Sequence, residues 1–183
     1  AGIALLALGP VVLAMASPYL AFRSWVYIGA GFAGILGLSL ILLQPLLVHG
    51  RLPGVTPLLA RRLHRGLGIA LLALVVVHVG GLWLTSPPDV IDALLFRSPA
   101  PFSVWGVLAM WAVFASAAVA LWRARLRRKT WRRLHLALGM VIAGGTVAHA
   151  LLIEGAMEPV SKALLSVAVL SAAAWAFWHT RLR

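Results

Sequence analysis

The chain has 183 residues, of which 62% are hydrophobic and 11% are charged, and its formal net charge is +12. Soluble domains carry about 25% charged residues, so this composition predicts a protein embedded in the lipid bilayer. The positive charge is confined to a few loops, which argues against nucleic acid as a partner. The sequence contains no cysteine, which excludes disulfides, iron–sulfur clusters and thiolate zinc sites.

Six apolar segments, separated by proline, glycine and charged residues, predict one all-α domain over residues 1–183. The predicted transmembrane helices cover 1–20, 25–49, 63–85, 102–123, 134–154 and 159–179. Each has about the 20 residues that a spanning helix needs. The sequence therefore predicts an integral membrane bundle of six helices.

The distribution of charge predicts the orientation. Most basic residues lie between the second and third helices, between the fourth and fifth, or at the C-terminal end: Arg51, Arg61, Arg62, Arg65, Arg123, Arg125, Arg127, Arg128, Lys129, Arg132, Arg133, Arg181 and Arg183. The opposite side has Arg23, Arg97 and Lys162, together with all four acidic residues, Asp89, Asp92, Glu154 and Glu158. The positive-inside rule places both termini in the cytoplasm of a cell (inner) membrane protein. The third and fifth helices then run parallel, from the cytoplasm outward.

An internal repeat connects these two parallel helices. Residues 61–68 (RRLHRGLG) align with residues 132–139 (RRLHLALG) at a shift of 71 positions, and the same shift places His78 on His149. The histidines of each helix are 14 residues apart, which is about 21 Å along the axis and within about 40° of one face. The repeat therefore predicts two levels of opposed imidazoles, His64 with His135 and His78 with His149.

Two imidazoles without a carboxylate or thiolate suit haem iron, whose porphyrin supplies four further nitrogens, better than zinc. We therefore predict two b haems, bound without covalent links between the third and fifth helices. With both axial positions filled, electron transfer is the natural chemistry. A lone membrane histidine is often only an interhelical hydrogen-bonding residue, but two equally spaced pairs favour ligation. His49 and His179 have no partner at a matching depth and are interpreted as interface residues.

Five arginines lie at the depth expected for the propionates of the inner haem, where charge-assisted hydrogen bonds would form. They are Arg61, Arg62, Arg65, Arg132 and Arg133. The alternative is that they serve only as orientation signals. Glycines near the histidines, among them Gly66, Gly80, Gly81 and Gly145, would either let a flat macrocycle approach the backbone or allow close helix packing.

These features resemble the ferric reductase-like transmembrane family, which includes NADPH oxidases, ferric reductases and the haem-binding subunit of bacterial methionine sulfoxide reductase. The shared features are six helices, histidine pairs on the third and fifth, and the Trp-x-x-Leu-His sequence that begins at Trp131. The resemblance implies the membrane part of an oxidoreductase, carrying electrons from a cytoplasmic flavin to an external acceptor. The chain has no Gly-rich dinucleotide fingerprint. Either it is a truncated core, or a separate flavoprotein (FAD, FMN) or a quinol supplies the electrons.

Other interpretations stay open on the sequence. A quinol-oxidising cytochrome b would carry a Pro-Glu-Trp-Tyr motif, which is absent, and a cytochrome b561-like protein would distribute its histidines over four helices. Outside redox chemistry, the chain could be a membrane scaffold whose histidines only pack. It could also be a metal-ion transport subunit that uses them as stepping sites, although transporters usually place acidic residues in the membrane.

Overall fold

The computed structural model describes residues 2–48, residue 52 and residues 54–181, with side chains as far as Thr180. His49, Arg51 and Arg183, to which the sequence analysis assigned positions, lie outside the described residues. Within them the chain is all-helical, as predicted. The seven helices are α1 (Gly2–Met15), α2 (Trp25–Val48), α3 (Pro57–Thr85), α4 (Pro87–Leu94), α5 (Pro101–Leu121), α6 (Arg128–Leu152) and α7 (Pro159–Arg181).

Five of the six predicted spans are long and apolar enough to cross a bilayer, namely α2, α3, α5, α6 and α7. The first is shorter than predicted. Helix α1 has 14 residues, about 21 Å at 1.5 Å per residue, against a hydrocarbon core of about 30 Å. It ends at Met15 because a short 3₁₀ turn, Pro18–Leu20, begins behind Ser17, whose side chain accepts the N–H of Tyr19. The five long helices make the chain a multi-pass membrane protein.

Two helices begin earlier than their apolar runs predicted. Helix α3 starts at Pro57, where the side chain of Thr56 accepts the N–H of Leu59 at 3.3 Å and caps the first turn. Helix α6 starts at Arg128. Hydropathy marks only the part of a helix that lies in hydrocarbon, so the basic turns that continue it toward the headgroups were missed.

Helix α4 was not predicted and replaces part of the loop after α3. It begins with two prolines at its first positions, where the missing N–H groups cost nothing. The hydroxyl of Ser86 donates to the carboxylate of Asp89 at 2.5 Å. With eight residues, α4 is too short to cross the bilayer.

The bundle is built from two helical hairpins, since the most extensive contacts are those of α2 with α3 and of α5 with α6. Helix α7 packs against α6 and α2, and α1 packs against α2 and α7. The core lies among α2, α5, α6 and α7, where Leu38, Ala143, Leu165 and Val169 are at most 2% exposed. Helix α3 lies at the edge of this core and contributes Leu71. This arrangement leaves one face of α3 opposite α6.

Candidate haem-binding site

The four histidines on α3 and α6 form two pairs at two levels of the bundle. The ring centroids of His64 and His135 are 6.1 Å apart, and those of His78 and His149 are 6.3 Å apart. The structure thus brings the rings together in the pairs that the repeat predicts. The same pairing shows that α3 and α6 run in the same direction.

The spacing of the rings fits a metal between them. A bond from an imidazole nitrogen to a first-row metal is about 2.0 Å long, and the nitrogen is about 1.1 Å from the ring centroid, so two trans imidazoles have centroids about 6 Å apart. Both pairs have this separation. Within the described part of the chain, no group of three or more His, Cys, Asp and Glu side chains is placed to hold an ion. Two histidines per level therefore suit a haem, which brings its own four nitrogens.

Each ring is oriented by a hydrogen bond from its other nitrogen to the helix beside it. Nδ1 of His78 donates to the carbonyl of Ala30 at 2.7 Å, and Nδ1 of His149 donates to that of Phe102 at 2.9 Å. Nδ1 of His64 lies 3.3 Å from the backbone carbonyl of Gln44. A carbonyl oxygen only accepts, so the rings of His78 and His149 carry their proton on Nδ1 and leave Nε2 to bind a metal. Metal-binding histidines are held in this way.

His135 has a different partner. Its Nδ1 lies 3.0 Å from the hydroxyl of Ser116 on α5, and a hydroxyl can either donate or accept. The side-chain amide of Gln44 lies against Nδ1 of His64, beside the backbone carbonyl that this nitrogen already contacts. The level of His64 and His135, named inner after the orientation that the charges predict, therefore has polar side chains next to both rings. The level of His78 and His149, named outer, has backbone carbonyls alone as Nδ1 partners.

Two glycines make room for the outer rings. A Cβ at Gly106 would lie 2.7 Å from Nδ1 of His149, and one at Gly34 would lie 3.0 Å from Nδ1 of His78. Contacts below 3.0 Å require a neighbouring atom to shift. Each outer histidine thus packs against a neighbouring helix at two residues. The first supplies the carbonyl that accepts from Nδ1, and the second, one turn later, is a glycine that leaves room for the ring.

The residues that support the four rings extend the repeat to the neighbouring helices, α2 and α5. Phe102, Gly106 and Ser116 on α5 stand 72 positions after Ala30, Gly34 and Gln44 on α2. These residues were hard to recognise from the sequence because two of the three positions carry different residue types on the two helices, and only Gly34 and Gly106 are alike. One signal was present: Gln44 is the only amide side chain in the sequence, and it lies inside an apolar segment.

Trp131 lies one turn before His135, toward the N-terminal end of α6. Its ring stacks on that of His135 with centroids 5.8 Å apart and planes 13° from parallel. Its Nε1 is buried and has no hydrogen-bond partner among the described residues. A buried donor next to the inner pair fits a cofactor that brings an acceptor there, such as the carboxylate of a haem propionate.

The five arginines of the sequence analysis do not share one position relative to the histidines. Arg61 and Arg132 are each three residues before a histidine, about 60° around the helix from it. Arg62 and Arg133 are two residues before, about 160° around, and therefore on the far face. Arg65 is one residue after, at about 100°. Arg132 is half-buried and the other four are exposed.

The remaining glycines and His179 have other surroundings. Gly81 packs against Ala30, where a Cβ would lie 2.7 Å from that of Ala30, and Gly145 packs against the carbonyl of Trp105 at 3.1 Å. Both serve close helix packing. Gly66 and Gly80 are two residues from a histidine and hence on the opposite face of α3, so they do not adjoin the pairs. Nδ1 of His179 donates to the carbonyl one turn earlier, at 2.9 Å.

The chain matches a protein family described as ferric reductase like transmembrane component, over residues 30–146. The chain belongs to the ferric reductase-like transmembrane family. The match extends from Ala30, the carbonyl partner of His78, through His64 and His135, and it ends three residues before His149. Membership indicates transmembrane electron transfer. Comparisons with curated proteins and with solved structures gave no match.

Proposed function

We propose that this ferric reductase-like domain carries electrons across the membrane through two b haems. One haem is held by His64 and His135, and the other by His78 and His149. The observation that carries the proposal is the pair of opposed imidazoles at two levels, each spaced for a metal and each oriented through Nδ1 by the helix beside it. A scaffold whose histidines only pack would have no need of this spacing.

The protein's own part in the reaction is to hold and space the two groups. Haem supplies one-electron chemistry when it is bound. A haem at either level would be held by a histidine on each side, which would leave no position for oxygen, so the site would support electron transfer. The 14 residues between the levels separate them by about 21 Å, which divides the hydrocarbon into short steps.

We propose that the propionates of the inner haem are bound by residues on the same face of α3 and α6 as the histidines. Arg61 and Arg132 are one turn toward the cytoplasm from His64 and His135, and Trp131 presents its buried Nε1 there. Charge-assisted bonds from these donors would hold the carboxylates. Arg62 and Arg133 face away, so their role is topology and the docking of a donor. Arg65, beside His64, is intermediate.

We infer the direction of transfer from charge. The positive-inside rule favours a cytoplasmic position for the basic loops of a cell-membrane protein, and with them for both termini and the inner haem. The membrane potential, negative inside, favours moving an electron outward by about 2.3 kcal/mol per 100 mV. The dense basic segment around Arg123–Arg133 suits an acidic flavoprotein or the phosphates of its cofactor, with a quinol as the other donor. The outer acidic residues, such as Asp89 and Asp92, suit a cationic acceptor or a basic partner surface.

Haem content tests the site. Pyridine haemochrome quantitation of the purified protein should give close to two b haems per chain, with the spectrum of low-spin six-coordinate iron. Haem well below one per chain in fully loaded protein would refute the proposal.

Directional transfer tests the conduit. In proteoliposomes of known orientation, a reductant confined to the cytoplasmic side should reduce an impermeant acceptor on the other side. A His78→Ala variant, which lacks an outer ligand, is the matched control and should reduce its inner haem without serving that acceptor. If the unmodified protein also reduced its haems but not the acceptor, the conduit would be wrong even with both haems in place.

A further inference from the structure

The Nδ1 partner of His135 is a side-chain hydroxyl, that of Ser116 at 3.0 Å, whereas the outer rings, His78 and His149, bond to backbone carbonyls. Nδ1 of His64 contacts both the backbone carbonyl and the side-chain amide of Gln44. A backbone carbonyl is present whatever the side chain is. When Nε2 of His135 is free to bind iron, Nδ1 carries the proton and the hydroxyl of Ser116 accepts it. The acceptor of His135 therefore depends on the identity of one side chain, and a substitution can change it.

The acceptor at Nδ1 affects the electronic character of a histidine ligand. A strong acceptor draws the proton away from the ring, makes Nε2 a better electron donor and stabilises ferric over ferrous iron. An amide oxygen is more negative than a neutral hydroxyl and is the stronger acceptor. As judged by the Nδ1 bond, His135 is consequently a weaker electron donor than His78 and His149.

We propose that Ser116 is a positioning residue that sets the redox potential of the inner haem through His135. This inference rests on the proposed function, because it requires a haem between His64 and His135. The hydroxyl holds the imidazole in its plane and tunes its donor strength. Within the described part of the chain, Ser116 forms no hydrogen bond to His78 or His149, so we expect its effect to be confined to the inner haem.

Three substitutions separate tuning from packing. Ser116→Ala removes the acceptor, so the potential of the inner haem should rise. A tenfold increase in the ratio of ferrous to ferric haem at fixed poise, which is about 59 mV for one electron, is the expected scale. Ser116→Asn supplies an amide oxygen, and the potential should fall. Ser116→Thr keeps the hydroxyl and should leave the potential near that of the unmodified protein.

The readout is an optical redox titration, with electron paramagnetic resonance of the ferric haems. Each variant is also titrated with His78→Ala, so that the inner haem is measured alone. The matched control is Ser39→Ala, which removes a buried hydroxyl bonded to the carbonyl of Ala7 and not to a histidine. This control should leave both potentials unchanged.

The outcomes distinguish the two proposals. An unmodified protein without haem would refute the proposed function itself. Two bound haems with shifts of opposite sign in Ser116→Ala and Ser116→Asn, confined to the inner haem, would support the inference. No shift, shifts of the same sign, or an equal shift of the outer haem would overturn it while the conduit stands. If Ser116→Ala does not retain the inner haem, the potentials of Ser116→Asn and Ser116→Thr are compared instead. A lower potential in Ser116→Asn supports the inference, and an equal or higher one overturns it.

Discussion

Gly106→Ala should displace the outer haem, because the added methyl group would occupy the space of a ligand ring. The new Cβ would lie 2.7 Å from Nδ1 and 2.9 Å from Cε1 of His149. Ordinary contacts between such atoms begin at about 3.5 Å, so the ring or the helix must move by about 0.8 Å. A displacement of that size stretches the bond from Nδ1 to the Phe102 carbonyl, now 2.9 Å, to the limit at which it counts as a hydrogen bond.

The two costs add. Overpacking costs about 1–3 kcal/mol and the lost hydrogen bond about 0.5–1.5 kcal/mol. About 1.5 kcal/mol at the least falls on the proposed site of the outer haem, which corresponds to retention about 12-fold weaker or more. The loss should be confined to one haem, since the residues at the inner level are not in contact with Gly106.

The assay is the rate at which haem transfers from purified protein to excess apomyoglobin, together with haem content after purification. Gly34→Ala should show a smaller effect on the same haem, because its Cβ would lie 3.0 Å from His78. Gly80→Ala, where a Cβ meets nothing within 4 Å, is the control and should behave like the unmodified protein. If Gly106→Ala retained the outer haem as firmly as Gly80→Ala, the steric reasoning would be wrong.

Three further predictions concern single residues. His78→Ala should remove the outer haem and leave the inner one visible in the spectrum; loss of both at once would contradict two separate sites. Trp131→Phe keeps an aromatic ring stacked on His135 but removes the buried donor. Because a hydrogen bond to a charged group is worth about 1.5–3 kcal/mol, the inner haem should transfer to apomyoglobin about tenfold faster or more. An unchanged rate would mean that Nε1 has no acceptor on the haem. The pKa of Glu158 is held below its usual range because the carboxylate accepts the N–H groups of Ser161 and Val160 at the start of α7. The carboxylate therefore stabilises the fold above its unfolded pKa, and this contribution is lost as pH falls through the lower folded value. Glu158→Gln should lower the thermal midpoint at neutral pH but not in strong acid, and an equal loss at both would refute this.

The pairing of the histidines could be predicted from the sequence because it depends on rigid geometry. A spacing of 14 residues fixes both height and direction on a helix, and equal spacing on two parallel helices fixes the pairs. The direction of the helices came from charge alone. These arguments need no knowledge of how the helices pack, and the rings lie where they predict.

The supports of the rings could not be predicted in this way. The acceptors at Ala30 and Phe102 are backbone atoms, which every residue type provides, so no side chain marks them. Gly34 and Gly106 resemble the other small residues of membrane helices until their distance to a ring is known. The length of α1 was overestimated because its apolar run continues to Leu20 although the helix ends at Met15.

The division of each histidine pair between two hairpins has a consequence for biogenesis. One ring of each pair comes from α3 and the other from α6. The residues that support the rings are divided in the same way between α2 and α5. A nascent chain that has inserted only the first hairpin therefore offers single imidazoles at two depths, neither of which can hold a cofactor firmly on both sides. Both pairs come into existence together, when the second hairpin docks beside the first. On the proposed function, loading of the two levels would thereby be tied to the docking of the hairpins.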